Sequence, residues 1–199
     1  MNNFTQGLLR YLSAQQLKRI QSIKIAIGGA GGLGSNVAVI LTRTGFAQFE
    51  IIDHDTVDPS NLNRQDFTLE DIGKPKVEAL KSRILSINPD ACVQIHHQTW
   101  DEKTSAGIFI NSDFIVEAFD AAEMKTRFVN FYHHRAAYVI SGNGMAGFNE
   151  PTGIGVRNVG NIYFIGDGIT AVDHNHPPMA PRVMECASKM AGIILKLTA

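Results

Sequence analysis

The sequence predicts an α/β fold, doubly wound and Rossmann-like, with a mostly parallel sheet, an added C-terminal antiparallel hairpin and a final helix. Three observations carry that expectation. Apolar runs of strand length alternate with segments of helical periodicity, the pattern of a parallel sheet with crossover helices. A glycine-rich turn, Gly29-x-Gly31-Gly32-x-Gly34, follows the first run and opens a helical segment. Toward the C-terminus, two short runs split by a Val-Gly turn suggest a hairpin rather than another crossover.

Residues 5–21 place Leu8, Leu9, Leu12, Leu17 and Ile20 close to helical spacing, which predicts an N-terminal helix or arm over residues 1–22. A single domain follows over residues 23–199. Its strands are expected at 23–28, 48–53, 92–97, 113–117 and 138–141, with helices at 33–44, 74–87 and 122–136 and a short one near 103–110. The hairpin pairs 155–158 with 161–165, and a helix from about Arg182 to Leu197 ends the chain. The segment from His54 to Gly73 is long for a loop in a compact domain, and such loops are usually functional or disordered.

At 199 residues the chain is long enough for one sizeable core. Apolar residues make up 44%, charged residues 19%, and the net charge is −1, so no bulk field draws nucleic acid or a membrane surface. Nucleic acid and membrane are therefore not expected partners. No apolar run reaches membrane-spanning length, and Met1-Asn2-Asn3-Phe4 lacks the start of a secretory signal, so a cytoplasmic protein is expected. Two cysteines, Cys92 and Cys186, cannot build a four-cysteine zinc site. Both fall in apolar patterns and read as core thiols.

The glycine motif carries the first chemistry. A strand-to-helix turn without side chains lets backbone N–H groups and the positive helix end approach a phosphate. Asp53 lies about twenty residues on, where a carboxylate can hold a ribose hydroxyl. These residues alone fit any adenosine-containing ligand, a nicotinamide or flavin dinucleotide included. The loop after the second strand adds Asp55, Asp58, Ser60, Asn61, Asn63, Arg64 and Gln65 and leads to Lys74-Pro75-Lys76. Ligands in open α/β sheets sit beyond the carboxyl ends of the strands. This loop, the glycine loop and Glu117-Ala118-Phe119-Asp120 should therefore converge on one crevice.

Taken together, Gly29-Ala30-Gly31-Gly32-Leu33-Gly34, Asp53-x-Asp55-x-Val57, Ser60-Asn61-Leu62-Asn63-Arg64-Gln65, Gly73-Lys74-Pro75-Lys76, Asn88-Pro89 and Asp120 resemble the ThiF/MoeB-type adenylyltransferases, relatives of the ubiquitin-activating enzymes. The likeness runs in order from about residue 20 to residue 130 and continues weakly into the final helix. Short bacterial ThiF-like proteins of thiamine biosynthesis similarly end soon after a Met-Ala-Pro-Arg-Val segment, here residues 179–183. The resemblance implies ATP-dependent adenylation of the C-terminal Gly-Gly carboxylate of a small ubiquitin-like sulfur carrier protein, with release of pyrophosphate, by a homodimer. It implies that Arg64 and Lys76 contact the phosphates and that Asp120 binds Mg²⁺. It further implies that Gly29, Gly31, Gly32 and Gly34 form the nucleotide loop, with Gly32 against the nucleotide, Asp53 on its ribose and Asn61 beside the phosphates.

The residue types suit that chemistry. A peptide carboxylate, with a pKa of roughly 3.5, is already ionised at neutral pH and needs no general base. The barrier lies in bringing an anion to a polyanion, which calls for alignment and charge neutralisation. Each residue also has a plainer reading: Arg64 in an ion pair with Asp66 or Glu70, Lys76 as a solvated helix residue, Asp120 as the cap of the helix near Ala122.

The sequence departs from the family in three places. The paired C-x-x-C motifs of many relatives are absent, so no zinc is expected. Ser13 falls where an arm arginine reaches the partner's ATP in relatives. Ala121 follows Asp120 where relatives carry Asn. Cys186 is not expected to be catalytic, His174-Asn175-His176 reads as a solvated turn, and His96-His97 and His133-His134 receive no role. Three alternatives stay open: activation of another carboxylate, as in a tRNA threonylcarbamoyladenosine dehydratase-like relative; a dinucleotide-dependent oxidoreductase; and a non-catalytic carrier or nucleotide binder.

Overall fold

The computed structural model describes residues 2–148 and 153–198. Seven strands form one sheet in the order β3-β2-β1-β4-β5-β7-β6. Strands β1 (Lys24–Gly28), β2 (Gln48–Asp53), β3 (Cys92–His97), β4 (Phe114–Glu117), β5 (Tyr138–Gly142) and β7 (Ile162–Gly166) run parallel. Only β6 (Gly155–Val159) is antiparallel, paired with β7 across the turn at Gly160. The expected parallel sheet, hairpin and final helix are all present.

Side-chain alternation divides the core between the two faces of the sheet. Ile25, Ile27, Phe49, Ile51, Phe114, Val116 and Ile140 point to one side. Helices α3 (Gly32–Arg43), α4 (Lys76–Ile87) and α6 (Ala180–Thr198) cover that face with Val37, Leu41, Leu80, Ile84, Met190 and Ile194. Ala26, Ile52, Ile115 and Val139 point to the other side, against Phe128 and Tyr132 of α5 (Ala122–Tyr132) and against Trp100 and Phe109. The rings of Phe128 and Tyr132 lie 4.7 Å apart, close enough to add to simple burial.

Two expected elements differ. The single helix over 5–21 is divided into α1 (Asn3–Leu8) and α2 (Ala14–Ser22). Ser13 is the reason: its hydroxyl accepts from Gln16 N while the Gln16 side chain accepts from Ser13 N, a capping box that starts a new helix. The segment 103–110 is a series of turns, not a helix. Asp101 Oδ1 accepts from Lys103 N as a helix cap would, but the backbone bonds that follow, Ser105 N to Asp101 O, Ile108 N to Ser105 O and Ser112 N to Phe109 O, close separate turns rather than a continuous ladder. Phe109 (φ 67°) and Asn111 (φ 63°) then adopt left-handed backbone, which seats the Phe109 ring in the core.

The cysteines divide as well. Cys186 is buried, and burial pushes its thiol up to about 12. Cys92 is exposed, contrary to its reading as a core thiol, because β3 is an edge strand and its first side chain faces outward. Among the described residues no helix is long and apolar enough to cross a membrane.

Candidate active site

The chain order of the strands reverses at β1, between β2 and β4. Loops leaving the carboxyl ends of neighbouring strands diverge at such a point and open a crevice. The glycine loop fills its floor. A Cβ on Gly34 would stand 1.8 Å from the Gly29 carbonyl oxygen, so only glycine lets α3 begin this close to the strand end. Gly29 itself has φ 95°, and a Cβ there would meet the Ala118 oxygen at 2.8 Å. Gly31 precedes the first turn of α3 with no side chain capping it, and a Cβ on it would meet only Gln65 Nε2, at 3.8 Å. Gly29 and Gly34 thus permit the packing, while Gly31 leaves room for a ligand to reach the helix N-terminus. Gly32 is sandwiched: its Cβ would meet Val183 of α6 at 3.1 Å and Arg64 Cγ at 3.6 Å.

Asp53, at the end of β2, is buried and ties the loop down. One carboxylate oxygen accepts from Ala30 N at 2.6 Å and the other from Asp55 N at 2.8 Å. The segment beyond it is strapped to α3. Asn36 Nδ2 donates to the Gly32 and Arg64 carbonyls, and Ser35 Oγ accepts from Asp66 N. Asn61 is buried in a short 3₁₀ turn (Pro59–Asn61), where its Oδ1 accepts from Asp58 N at 3.1 Å.

Arg64 is half-buried on this strap. Among the described residues only its Nη1 donates, to Ser60 O and Asn63 Oδ1, leaving the rest of the guanidinium fork available. Burial lowers its pKa, and the Asp120 carboxylate opposes that shift. Among the described residues no hydrogen bond or ion pair joins Arg64 to Asp120. Asp66 pairs with Arg83 instead, at 3.0 Å, so the ion-pair reading of Arg64 with Asp66 does not hold.

Lys76 is not the solvated helix residue of the plainer reading. It is 6% exposed, and its Nζ lies 2.7 Å from Asp55 Oδ2. Burial would raise the Asp55 carboxyl, but the hydrogen bond and charge of Lys76, with His54, outweigh it and hold the carboxyl below its usual range. Asp53, His54 and Asp55 bring ligand atoms within 4.8 Å of one another. Their oxygens are taken by two backbone N–H groups, Lys76 and His54, so the cluster closes on itself.

Asp120 is exposed just beyond β4 and has no hydrogen-bonding partner among the described residues. It does not cap α5: Ala121 occupies the cap position, with no side-chain bond. Mg²⁺ usually binds through one or two carboxylates plus substrate phosphates, and Asp120 meets that donor requirement.

Gln65 was legible only as part of a motif. It is 7% exposed, lies against Gly31, and its Oε1 is buried without a partner. A buried acceptor left unbonded beside the glycine loop is a docking point for a ligand donor. Also missed was an open cavity of about 450 Å³ along the same carboxyl edge of the sheet, beyond β5. Asn143, Gly155, Arg157, Phe164, Gly166 and Asp167 line it. Its lining comes from β6, β7 and the segments that follow β5 and β7, and includes none of the glycine-loop residues. Asp167, its side chain fully buried, receives Arg182 Nη2 at 2.5 Å and so fixes the start of α6 against this edge.

Comparison with known proteins agrees with this fold. The chain superimposes on the ATP complex of an E. coli tRNA N6-threonylcarbamoyladenosine dehydratase, with a TM-score of 0.85 over 98% of this chain and 93% of that one, at 20% identity. At that identity the likeness concerns the fold. The chain is 31% identical over 159 residues to tRNA threonylcarbamoyladenosine dehydratase 1 of Saccharomyces cerevisiae, covering 77% of this chain and 37% of that protein. It is 34% identical over 114 residues to a probable molybdopterin-synthase adenylyltransferase of Porphyra purpurea, covering 57% of this chain and 30% of that protein. The chain thus spans about a third of the length of these two relatives. The model of the ThiF family matches residues 5–182, from the first helix through the glycine loop and Asp120 to the start of α6, and the chain belongs to that family.

Proposed function

We propose that this chain activates a carboxylate by adenylation with ATP. The observation that carries the reading is convergence on the glycine loop: Arg64 packs against Gly32 with only Nη1 bonded among the described residues, and Asp120 follows the Ala118 carbonyl that abuts Gly29. A dinucleotide-dependent oxidoreductase would use the glycine loop and Asp53 but leaves those two charges without a task.

In the proposed reaction a carboxylate oxygen forms a bond to the α-phosphorus of ATP. The bond from that phosphorus to the bridging oxygen breaks, and pyrophosphate leaves with the electron pair. Arg64 offers a planar fork to the phosphates, and Gly31 lets the α3 N-terminus approach them. Lys76 adds a buried positive charge, released toward phosphate to the extent that its bond with Asp55 loosens. Asp53 holds the loop through Ala30 and keeps lone pairs for the ribose, and Asn61 shapes the turn beside the phosphates. Gln65 offers its free acceptor. Asp120 would hold Mg²⁺, which when bound neutralises phosphate charge.

For the acyl substrate, the relatives bring forward the carboxylate of threonylcarbamoyladenosine in tRNA. Activation there lets an internal nucleophile expel AMP, with net loss of water. Net charge argued against an RNA ligand, but it is an average over the chain, and Arg157 lines the cavity beside the crevice. A Gly-Gly sulfur carrier is the second reading, favoured by the molybdopterin-synthase adenylyltransferase match. The homodimer implied by the resemblance belongs to this proposal too.

ATP–pyrophosphate exchange with the purified chain tests the reading, given either modified tRNA or a Gly-Gly-ended carrier. Exchange with one of them, lost in Arg64→Ala and Asp120→Ala, supports adenylation and identifies the acyl class. ATP binding without exchange in the presence of either would point to a binding-only role.

A further inference from the structure

Beneath the crevice lies a fully buried carboxylate that the reaction does not use. Glu117 ends β4 with no exposed surface, and burial raises its carboxyl above the usual range despite the charge of Lys125. Its four bonds come from separate parts of the fold. Oε1 accepts from Phe119 N at 2.8 Å and from Lys125 Nζ at 3.1 Å. Oε2 accepts from Ser141 Oγ of β5 at 2.6 Å and from Lys125 Nζ at 3.3 Å. Lys125, on α5, also donates to the Gly142 carbonyl at 3.0 Å.

Taking a carboxylate out of water costs several kcal/mol unless it is fully hydrogen-bonded, and replacing such a pair by apolar groups is often neutral or stabilising. Stability alone therefore does not account for a buried ion pair at this point. Its geometry does suggest a use. The bond to Phe119 N fixes the turn that leaves β4, and Asp120 is the next residue. The same turn is pressed on the glycine loop: Ala118 N donates to Gly28 O at 2.8 Å, and the Ala118 carbonyl abuts Gly29. Lys125 clamps the first turn of α5 from the other side. Asp120, with no hydrogen-bonding partner of its own among the described residues, is thus held from both flanks through Glu117.

We infer that Glu117, with Lys125 and Ser141, is a positioning residue that sets the Asp120 carboxylate against the glycine loop for metal-assisted ATP binding. The inference rests on the role proposed above for Asp120. Loss of the network lets the turn relax and uncouples Asp120 from the nucleotide, while the glycine loop, Arg64 and Lys76 stay in place. ATP binding without metal is therefore retained, and the strengthening of binding by metal is lost.

Calorimetric titration of the full chain with ATP, with and without Mg²⁺, tests this. The proteins are the native chain, Asp120→Asn, Glu117→Gln, Ser141→Ala, and the charge-neutral double variant Glu117→Gln/Lys125→Met, which avoids stranding a buried ammonium. We expect Mg²⁺ to tighten ATP binding by the native chain, and Asp120→Asn to abolish that gain. Glu117→Gln and the double variant lose at least tenfold of it, with metal-free ATP affinity within about twofold of native. Ser141→Ala, which removes one donor, loses about threefold and serves if the others fold poorly. A folded double variant with the native response to Mg²⁺ would overturn the inference. No ATP binding by the native chain would overturn the functional reading and this inference with it. An unchanged Mg²⁺ response in Asp120→Asn would overturn the role of Asp120 while leaving adenylation standing.

Discussion

The two ends of the sheet's carboxyl edge are built differently. Around β1, α3 and β2 the chain is over-determined. Gly29 and Gly34 touch backbone, Asp53 receives two N–H groups, and Asn36 and Ser35 strap the following loop onto α3. Around β5, β7 and β6 it is open, with β6 exposed along its whole length and Val156 and Ile169 facing solvent beside the cavity. The contrast fits a division of labour. In the reaction proposed above, the rigid end would meet the nucleotide, the same for every substrate, and the open end would meet whatever carries the carboxylate.

The sharpest way to break that contrast is a matched pair of glycine substitutions. Gly34→Ala drives a methyl group into the Gly29 carbonyl, and we expect a loss of about 3 kcal/mol or more, read by denaturant unfolding. Gly155→Ala, whose Cβ would meet the Gly166 oxygen at an ordinary 3.4 Å, should stay within about 0.5 kcal/mol of native. Equal effects at both positions would remove the distinction.

Next in size, Arg64→Ala should lower pyrophosphate exchange by about 10² to 10³-fold, the usual loss when one aligned donor is removed from a transition state. Its melting temperature should hardly move, because the side chain bonds only Ser60 O and Asn63 Oδ1. A large fall in stability would make Arg64 structural.

A smaller effect concerns Asp55, whose folded pKa lies below its ordinary value of 3.8. A depressed carboxylate contributes stability that is present above the unfolded pKa and lost as pH falls through the folded one. The native chain should therefore lose this contribution below pH 3.8, and Asp55→Asn should lack that part of the acid transition. Thermal melts from pH 6 down to the onset of acid unfolding would show it.

The smallest expected effect is none. Alkylation of the folded chain near pH 8 should label exposed Cys92 and spare Cys186, whose thiol stands at about 12, and exchange activity should be unchanged. Mass spectrometry locates the label.

What was legible in the sequence follows the same division. The sheet, the hairpin and the glycine loop could be read because each depends on short-range pattern: strand alternation, the Val-Gly turn, and glycines whose spacing places a helix end. Asp53 was visible for the same reason, at a set distance from the loop it holds. The turns at 103–110 were not, because the left-handed backbone at Phe109 and Asn111 is set by seating the Phe109 ring in the core, which short-range pattern does not show. Lys76 was named for its motif, yet its burial against Asp55 depends on the path of a 21-residue connection. Glu117 reads as one more residue of an apolar strand, since its partners Ser141 and Lys125 come from other elements and only the fold assembles them.

Adenylation as proposed requires a carboxylate oxygen to attack the α-phosphorus of ATP in the crevice beside Arg64 and Asp120. Its most direct test uses a substrate that supports exchange, with the carboxylate labelled in both oxygens with ¹⁸O, followed by mass analysis of the AMP released on acyl transfer. One ¹⁸O atom in AMP is the predicted result. AMP free of label would contradict the account, because the oxygen bridging acyl carbon and phosphorus would not have come from the substrate.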